Sequence, residues 1–370
     1  MFLTLLIAFF SLIALMIIHE FGHFIIAKKF GVRVEEFGIG YPPRLFGKQF
    51  GGTFYSVNLI PLGAFVKIYG EEGDVHSAES FTFLPIWKRM LIVAGGVIAF
   101  WLSAIVIFSV LFSIGASVPV GDKDVPGSLV KVLIMNVADN SPAQKSGLRK
   151  GDVILSIKNQ IANLKVDKIE DFQEFLRNDN GLPVILNVER QGKNIELNLI
   201  PRIDYSQNQG AIGAGLERMA QIIDKYPFYQ APWEGLKFTF EVTVKSLQGI
   251  YEAIVNLVSG KGAPSTAQLA GPVGITIFLA NAVGYGLGFF LYFIGSISVL
   301  VAIFNIFPIP ALDGGKLVFL LIEKVIGKPV PVKWEQVITA ICFILLISMS
   351  LFITIKFDIP RVVDYWKAGI

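Results

Sequence analysis

The chain has 370 residues, 53% of them hydrophobic and 16% charged, and a net charge of only +3. Soluble domains carry about 25% charged residues, so the composition excludes a single water-soluble globule or a disordered chain, and the small net charge excludes a nucleic-acid binder. A lone Cys342 excludes a disulfide framework and a cysteine-based structural zinc site.

In chain order, four stretches reach the roughly 17–25 apolar residues that cross a bilayer. The first, Phe2–Ala27, is interrupted near its end by His19, Glu20 and His23. It has no basic leader and no small-residue cleavage site, and its apolar run is too long for a cleaved signal peptide. The second, Leu91–Ile114, follows Lys88 and Arg89, and the third, about Leu287–Phe307, stops at Pro308. The fourth, Val337–Ile355, is closed by Lys356. Residues 24–90 carry eight Lys and Arg, and residues 308–333 carry four, which puts both connections on the cytoplasmic side. Both termini then lie outside, as does the segment between the second and third spans.

That segment is the charged part of the chain. Residues 121–225 hold 28 of the 61 Asp, Glu, Lys and Arg side chains, so one soluble domain is inserted there. Candidate strands are Val130–Val137, Asp152–Ile157, Val184–Arg190 and Asn194–Ile200, the last two joined by a turn at Gln191-Gly192-Lys193-Asn194. Within Lys168–Arg177, the residues Ile169, Phe172, Phe175 and Leu176 recur at helical spacing. The run from Ser141-Pro-Ala through Gly147-Leu and Gly151-Asp152 to Ile157 resembles the signature of bacterial PDZ domains. Such domains bind extended peptides by adding them to a sheet edge. A second reading, a bulky gate that binds nothing, stands beside that one. Beyond the domain, Trp233–Val258 carries Leu236, Phe240, Val244, Leu247 and Ile254 on one helical face, against Lys237, Glu241, Lys245 and Gln248. It reads as an interfacial or gate-supporting helix, or as a packing helix of the external domain.

The chemistry concentrates in His19-Glu20-Phe-Gly-His23, which holds two of the three histidines. On a helix, positions i and i+4 share a face, so both imidazoles can reach one metal. Glu20 lies about 100° round the helix, suited to a water rather than to the ion. A surface histidine pair is the bland reading of such a motif. It fits poorly inside an apolar span, where charged groups cost on the order of 2.5 kcal/mol or more and need a partner. A hydrolytic zinc site has three protein ligands and an open position. His76 sits in an acidic loop with Glu71, Glu72, Asp74 and Glu79 and reads as exposed. Asp313 is the better third ligand. It follows Pro308 and Pro310, which stop regular helix, and precedes Gly314-Gly315, which allow close backbone approach.

His-Glu-x-x-His in the first span, Asn305-Ile-Phe-Pro308-Ile-Pro310-Ala-Leu-Asp313-Gly-Gly315 after the third, and a PDZ-like insert between spans two and three resemble the site-2 protease family. The nearest likeness is to bacterial regulator-of-sigma-E-type intramembrane zinc metalloproteases. Further matching runs are Val34–Gly40, Pro61–Lys67 with Gly70-Glu71, Trp87-Lys-Arg89 and Leu269-Ala-Gly271-Pro272-Val-Gly274-Ile275. The resemblance implies a multi-pass α-helical membrane protein with four transmembrane helices, a membrane-associated β-hairpin region at 41–72, and an inserted α+β PDZ domain. The parts would be 1–120 and 284–370 as membrane halves, 121–225 as the PDZ domain, and 226–283 as an interfacial helical region.

It further implies one Zn2+ held by His19, His23 and Asp313, Glu20 as catalytic base, and Asn305 and Gly63 in substrate binding. The substrates it implies are single-span proteins in the bacterial inner membrane, trimmed beforehand by a site-1-type protease, of anti-sigma-factor or signal-peptide-remnant type. Two departures stand out. Gly95-Gly96-Val-Ile-Ala-Phe100-Trp101 lacks the asparagine common in the second span of relatives, and the chain has room for one PDZ domain where many relatives have two. A non-enzymatic rival is a membrane adaptor whose PDZ domain captures protein tails. A histidine-box oxygenase needs many more histidines, and a CAAX-processing protease is disfavoured by Asp313 and by the insert.

Overall fold

A computed structural model describes residues 2–71, 73, 77–115, 117–119, 129–178, 181–190, 192–203, 210–221, 225–259, 270–360 and 362–363. Its helices are α1 (Phe2–Lys29), α2 (Ile86–Ile114), α3 (Pro142–Lys145), α4 (Ile169–Asn178), α5 (Ala231–Val258), α6 (Pro272–Gly284), α7 (Leu287–Ile306), α8 (Asp313–Ile326) and α9 (Val332–Ile353). Its strands are β1 (Val34–Phe50), β2 (Thr53–Ile68), β3 (Ser117–Pro119), β4 (Leu129–Val137), β5 (Val153–Lys158), β6 (Asn163–Lys165), β7 (Val184–Arg190), β8 (Lys193–Leu199) and β9 (Ala214–Gln221). Two packing units emerge. One comprises Met1–Val110, Phe228–Gly284 and Phe290–Ile370, and the other Leu111–Pro227 with Tyr285–Phe289.

The helices Leu3–Lys29, Ile86–Ile114, Leu287–Ile306 and Val332–Asp358 are each long and apolar enough to cross a membrane. A helix is the form that lets a single apolar segment satisfy its own backbone in lipid. The expected spans are all present, and the second and fourth begin several residues earlier than their apolar runs, at Ile86 and Val332. Helices α1 and α2 cross at glycines. A Cβ on Gly22 would strike the Gly95 carbonyl, and one on Gly95 would strike the Gly22 carbonyl. Small residues at such a crossing let two backbones touch.

Strands β1 and β2 each bend, so two strands build four rows. Phe50 faces Thr53 across the Gly51-Gly52 turn, where both glycines have positive φ. Gly38 and Ile39 lie between Phe65 and Ala64 on one side and Ser56 and Val57 on the other. The row 64–68 is an edge, and among the described residues no further strand pairs with it. This sheet corrects the expected limits of 41–72. It starts at Val34 and ends at Ile68, because Val34 pairs with Ile68 and both are buried with Ala27, Ile92, Val93 and Leu320 in one apolar cluster.

Helix α5 packs on α2 through small residues. A Cβ on Gly235 would meet Ser109 and the Ile105 carbonyl, Phe238 stacks edge-on against Phe108 at 4.8 Å, and Thr239 is buried. It therefore belongs to the first unit rather than to the inserted domain. Its predicted apolar stripe points the other way, and Leu236, Phe240, Leu247, Tyr251 and Ile254 are exposed. The C-terminal span is tied to α6 by Asp358, a fully buried carboxylate that accepts a hydrogen bond from the Gly271 N–H at 3.1 Å at the start of that helix. Negative charge at a helix N-terminus is stabilising.

The second unit is a seven-stranded sheet ordered β3-β9-β4-β5-β7-β8, with β6 beside β5. It spans Leu111–Pro227, wider than the expected 121–225. Val132, Ile134, Ile154, Ile157, Phe172, Leu186 and Leu199 form its core. Four strands and α4 fall within about a residue of their predicted bounds. The Gly-rich motif makes a tight loop. Ser141 caps α3, Gly147 and Gly151 take positive φ, and buried Asp152 accepts from the Arg149 N–H at 2.8 Å and pairs with Arg190 at 2.7 Å. The Asp152 carboxylate holds Arg190 above the usual guanidinium range. Gln191 of the predicted hairpin turn lies outside the described residues.

Candidate metal centre

The helical spacing of His19 and His23 turns both imidazoles to one side of α1, toward α2 and the start of α8. His23 Nε2 lies 3.3 Å from His19 Nε2, and each lies 3.5 Å from Asp313 Oδ2. These three are the described residues whose grouping could hold a metal ion. Ligands about 2.0–2.1 Å from a tetrahedral zinc ion are about 3.3–3.4 Å apart, so the triangle has the size of one coordination face. The donors are two imidazole nitrogens and one carboxylate oxygen, a set that suits zinc and leaves a fourth position. Asp313 Oδ2 is buried and has no hydrogen-bond partner among the described residues, as an oxygen reserved for an ion would be.

Helix α2 completes the setting from the backbone. His23 Nδ1 lies 2.9 Å from the Ile92 carbonyl, and a carbonyl can only accept, so Nδ1 carries a proton and Nε2 is the nitrogen left to face an ion. The Phe100 ring stacks on His19 with centroids 4.6 Å apart and planes 24° apart. A Cβ on Gly96 would run into both imidazoles, so only glycine leaves room for them.

Asp313 is brought in by a folded-back loop. Thr339 Oγ1 donates to the Pro310 carbonyl at 3.1 Å, and the backbone of 306–310 crowds against Gly314 and Gly315 so closely that a Cβ on either would collide. Asp313 opens α8 just outside the spans. Burial alone would raise its pKa, but the facing His23 and His19, with Lys316, outweigh burial and keep it ionised below the usual carboxylate range. The Glu20 carboxylate lies among His23, Asp313 and Glu71 and beside the backbone N–H of Val66 on β2. The base expected from sequence is thus next to the triangle and next to the sheet edge.

The sequence profile of Peptidase family M50 matches residues 7–349, nearly the whole chain. The chain belongs to peptidase family M50. Three relatives, each named "Putative zinc metalloprotease", agree with this. One from Clostridium perfringens is 31% identical over 93% of this chain and 95% of its own length. One from Clostridium acetobutylicum is 31% identical over 96% and 97%, and one from Synechocystis is 32% identical over 93% and 92%. This M50 peptidase is a site-2-type zinc metalloprotease and, with its four long apolar helices, an integral membrane protein.

The other expected site residues of the M50 chain are placed differently. Gly63 has φ +127 on β2, and a Cβ there would press on Met16 of α1, so it lets the sheet lie close along the histidine helix. Asn305 turns its amide back onto the Val301 carbonyl of its own helix at 3.0 Å, which is neither a cap nor a contact with the triangle. His76, with Glu72 and Asp74, lies outside the described residues. The sequence reading missed Ile92 and Gly96. A carbonyl leaves no trace in a sequence, but the Gly-Gly pair in a span of large side chains was a signal of close approach.

Proposed function

We propose that this peptidase hydrolyses a peptide bond within the transmembrane segment of a single-span membrane protein already trimmed on its outer side. The observation that carries the reading is the triangle of His19, His23 and Asp313 at the end of an apolar span, with Glu20 beside it and the 64–68 edge of the sheet alongside. Bound zinc would polarise the scissile carbonyl and acidify water toward a pKa of about 7. Glu20 takes the proton from the attacking water and returns it to the leaving amine. A transmembrane helix hides its carbonyls in its own hydrogen bonds, and unwinding it in lipid exposes polar groups. Pairing along the edge of β2 would satisfy them, as in strand addition elsewhere. Helix-breaking residues in the substrate should therefore speed cleavage.

The inserted domain is read as a PDZ domain, supported by the Gly147–Asp152 loop and the antiparallel sheet, acting as a peptide binder or a size filter for trimmed substrates. The basic connections support a bacterial inner-membrane orientation with both termini outside and the metal site toward the cytoplasm. The test is cleavage of a model single-span protein by the purified chain in liposomes, with product ends read by mass spectrometry. The expected cut lies inside the span, stops with a chelator and returns with zinc. A cut outside the span, or one indifferent to chelation, would overturn the reading.

A further inference from the structure

Lys316 lies three residues beyond Asp313 on α8, about 4.5 Å along the helix axis. Its ammonium is 2.6 Å from the Glu71 carboxylate. Glu71 sits three residues past the end of β2, and its N–H donates to the Ile68 carbonyl at 3.2 Å, so it cannot wander from the strand. Gly70, with φ +76 and no room for a Cβ beside Ser80, sets the turn that brings it there. The Glu71 carboxylate is largely buried, and together with Asp313 and Glu335 it outweighs the desolvation of Lys316, whose pKa stays above the ordinary lysine range. A second pair holds the far end of α8. Arg89 of α2 makes a bidentate contact with Glu323, at 2.9 and 2.5 Å.

We propose that the Glu71–Lys316 ion pair is a positioning contact that locks the edge strand of β2 to the helix carrying Asp313, and so fixes how far a peptide paired on that edge lies from the metal triangle. The inference rests on the edge-pairing reading above. Ile68 and Leu320 also share an apolar cluster, and the ion pair adds a polar tie of fixed geometry: β2 leads through three residues to the acid, and Asp313 leads through one helical turn to the base. A strand that adds to residues 60–68 inherits its height from β2, and Asp313 inherits its own from α8. Misplacing reacting atoms by about 1 Å can cost 10²-fold in rate. The pair therefore acts on turnover and leaves binding to the edge intact.

Charge alone makes a different forecast. Glu71 lies near Glu20 and Lys316 pairs with Glu71, so a purely electrostatic role would act through the pH–rate profile and its loss would vanish at each variant's own pH optimum. A positioning contact is lost equally whichever partner goes. The experiment uses the full zinc-loaded chain with a single-span substrate, comparing wild type, Glu71→Gln, Lys316→Met, the double variant and Lys316→Arg. Expected, each at its own pH optimum and with zinc saturating, are a fall in kcat of about tenfold or more in both single variants, KM within about twofold, a double variant no worse than either single, and recovery with Lys316→Arg.

A readout without turnover accompanies it. Amide hydrogen exchange over residues 60–71 of the zinc-free chain should quicken in both single variants. Losses that vanish at each variant's own pH optimum, additive losses, or unchanged kcat and exchange would overturn the proposal. Glu20→Gln runs in parallel, since cleavage surviving in that variant condemns the protease reading itself, whereas the exchange measurement still reports on the tie.

Discussion

Glu20→Gln is expected to abolish cleavage while leaving metal binding intact. The amide has nearly the shape of the carboxylate, so its neighbours Val66 and His23 are undisturbed, but it cannot take a proton from water. General acid–base groups contribute about 10²–10⁴-fold, and Glu20 is asked to act twice, as base and then as acid. A loss at the upper end of that range follows. The three donor atoms belong to His19, His23 and Asp313, so zinc measured by atomic spectroscopy should match wild type. A variant that loses zinc along with activity would make Glu20 a ligand instead of a base.

Gly96→Val is expected to be nearly as damaging by a different route. The first side-chain carbon already falls within both imidazoles, and the branched side chain has nowhere else to go, because Gly22 and Gly95 hold the two helix backbones in contact one position away. Either the helices part or the rings rotate. Overpacking of this kind costs about 1–3 kcal/mol. Ring rotation also breaks the bond from His23 Nδ1 to the Ile92 carbonyl, which fixes the nitrogen that faces the ion. Outer hydrogen bonds of this type change metal affinity by about 10–100-fold when lost. Zinc content and cleavage should both fall, and a competition assay against a chelator measures the first independently. Full zinc retention in Gly96→Val would show that α2 does not press on the histidines.

The parts of this molecule that could be read from its sequence are those whose physics is local. Twenty apolar residues in a row announce a span, and His19 and His23 announce a shared helical face. Gly147 and Gly151 announce a tight loop. Helix α8 was not anticipated, because Asp313-Gly-Gly-Lys looks like a turn. The two glycines are tolerated in its first turn because the carbonyls of 306–310 press on them, a contact made only in the folded chain. Strand β9, Ala-Gly-Leu-Glu-Arg-Met-Ala-Gln, has no β-branched residue and no clean alternation, yet it lies between β3 and β4 and buries Arg218. For Asn305 the motif implied a role toward substrate, and the folded chain adds that its amide donates to the Val301 carbonyl of its own helix.

The account depends on one ion being shared between α1 and α8, two elements nearly three hundred residues apart in sequence. X-ray absorption at the zinc edge, on the purified full-length chain and on Asp313→Asn, addresses this without any substrate. The predicted result is one zinc per chain with two imidazole nitrogens and oxygen in its first shell, and weakened or altered coordination in the variant. A zinc shell without imidazole, or one left unchanged by Asp313→Asn, would contradict it.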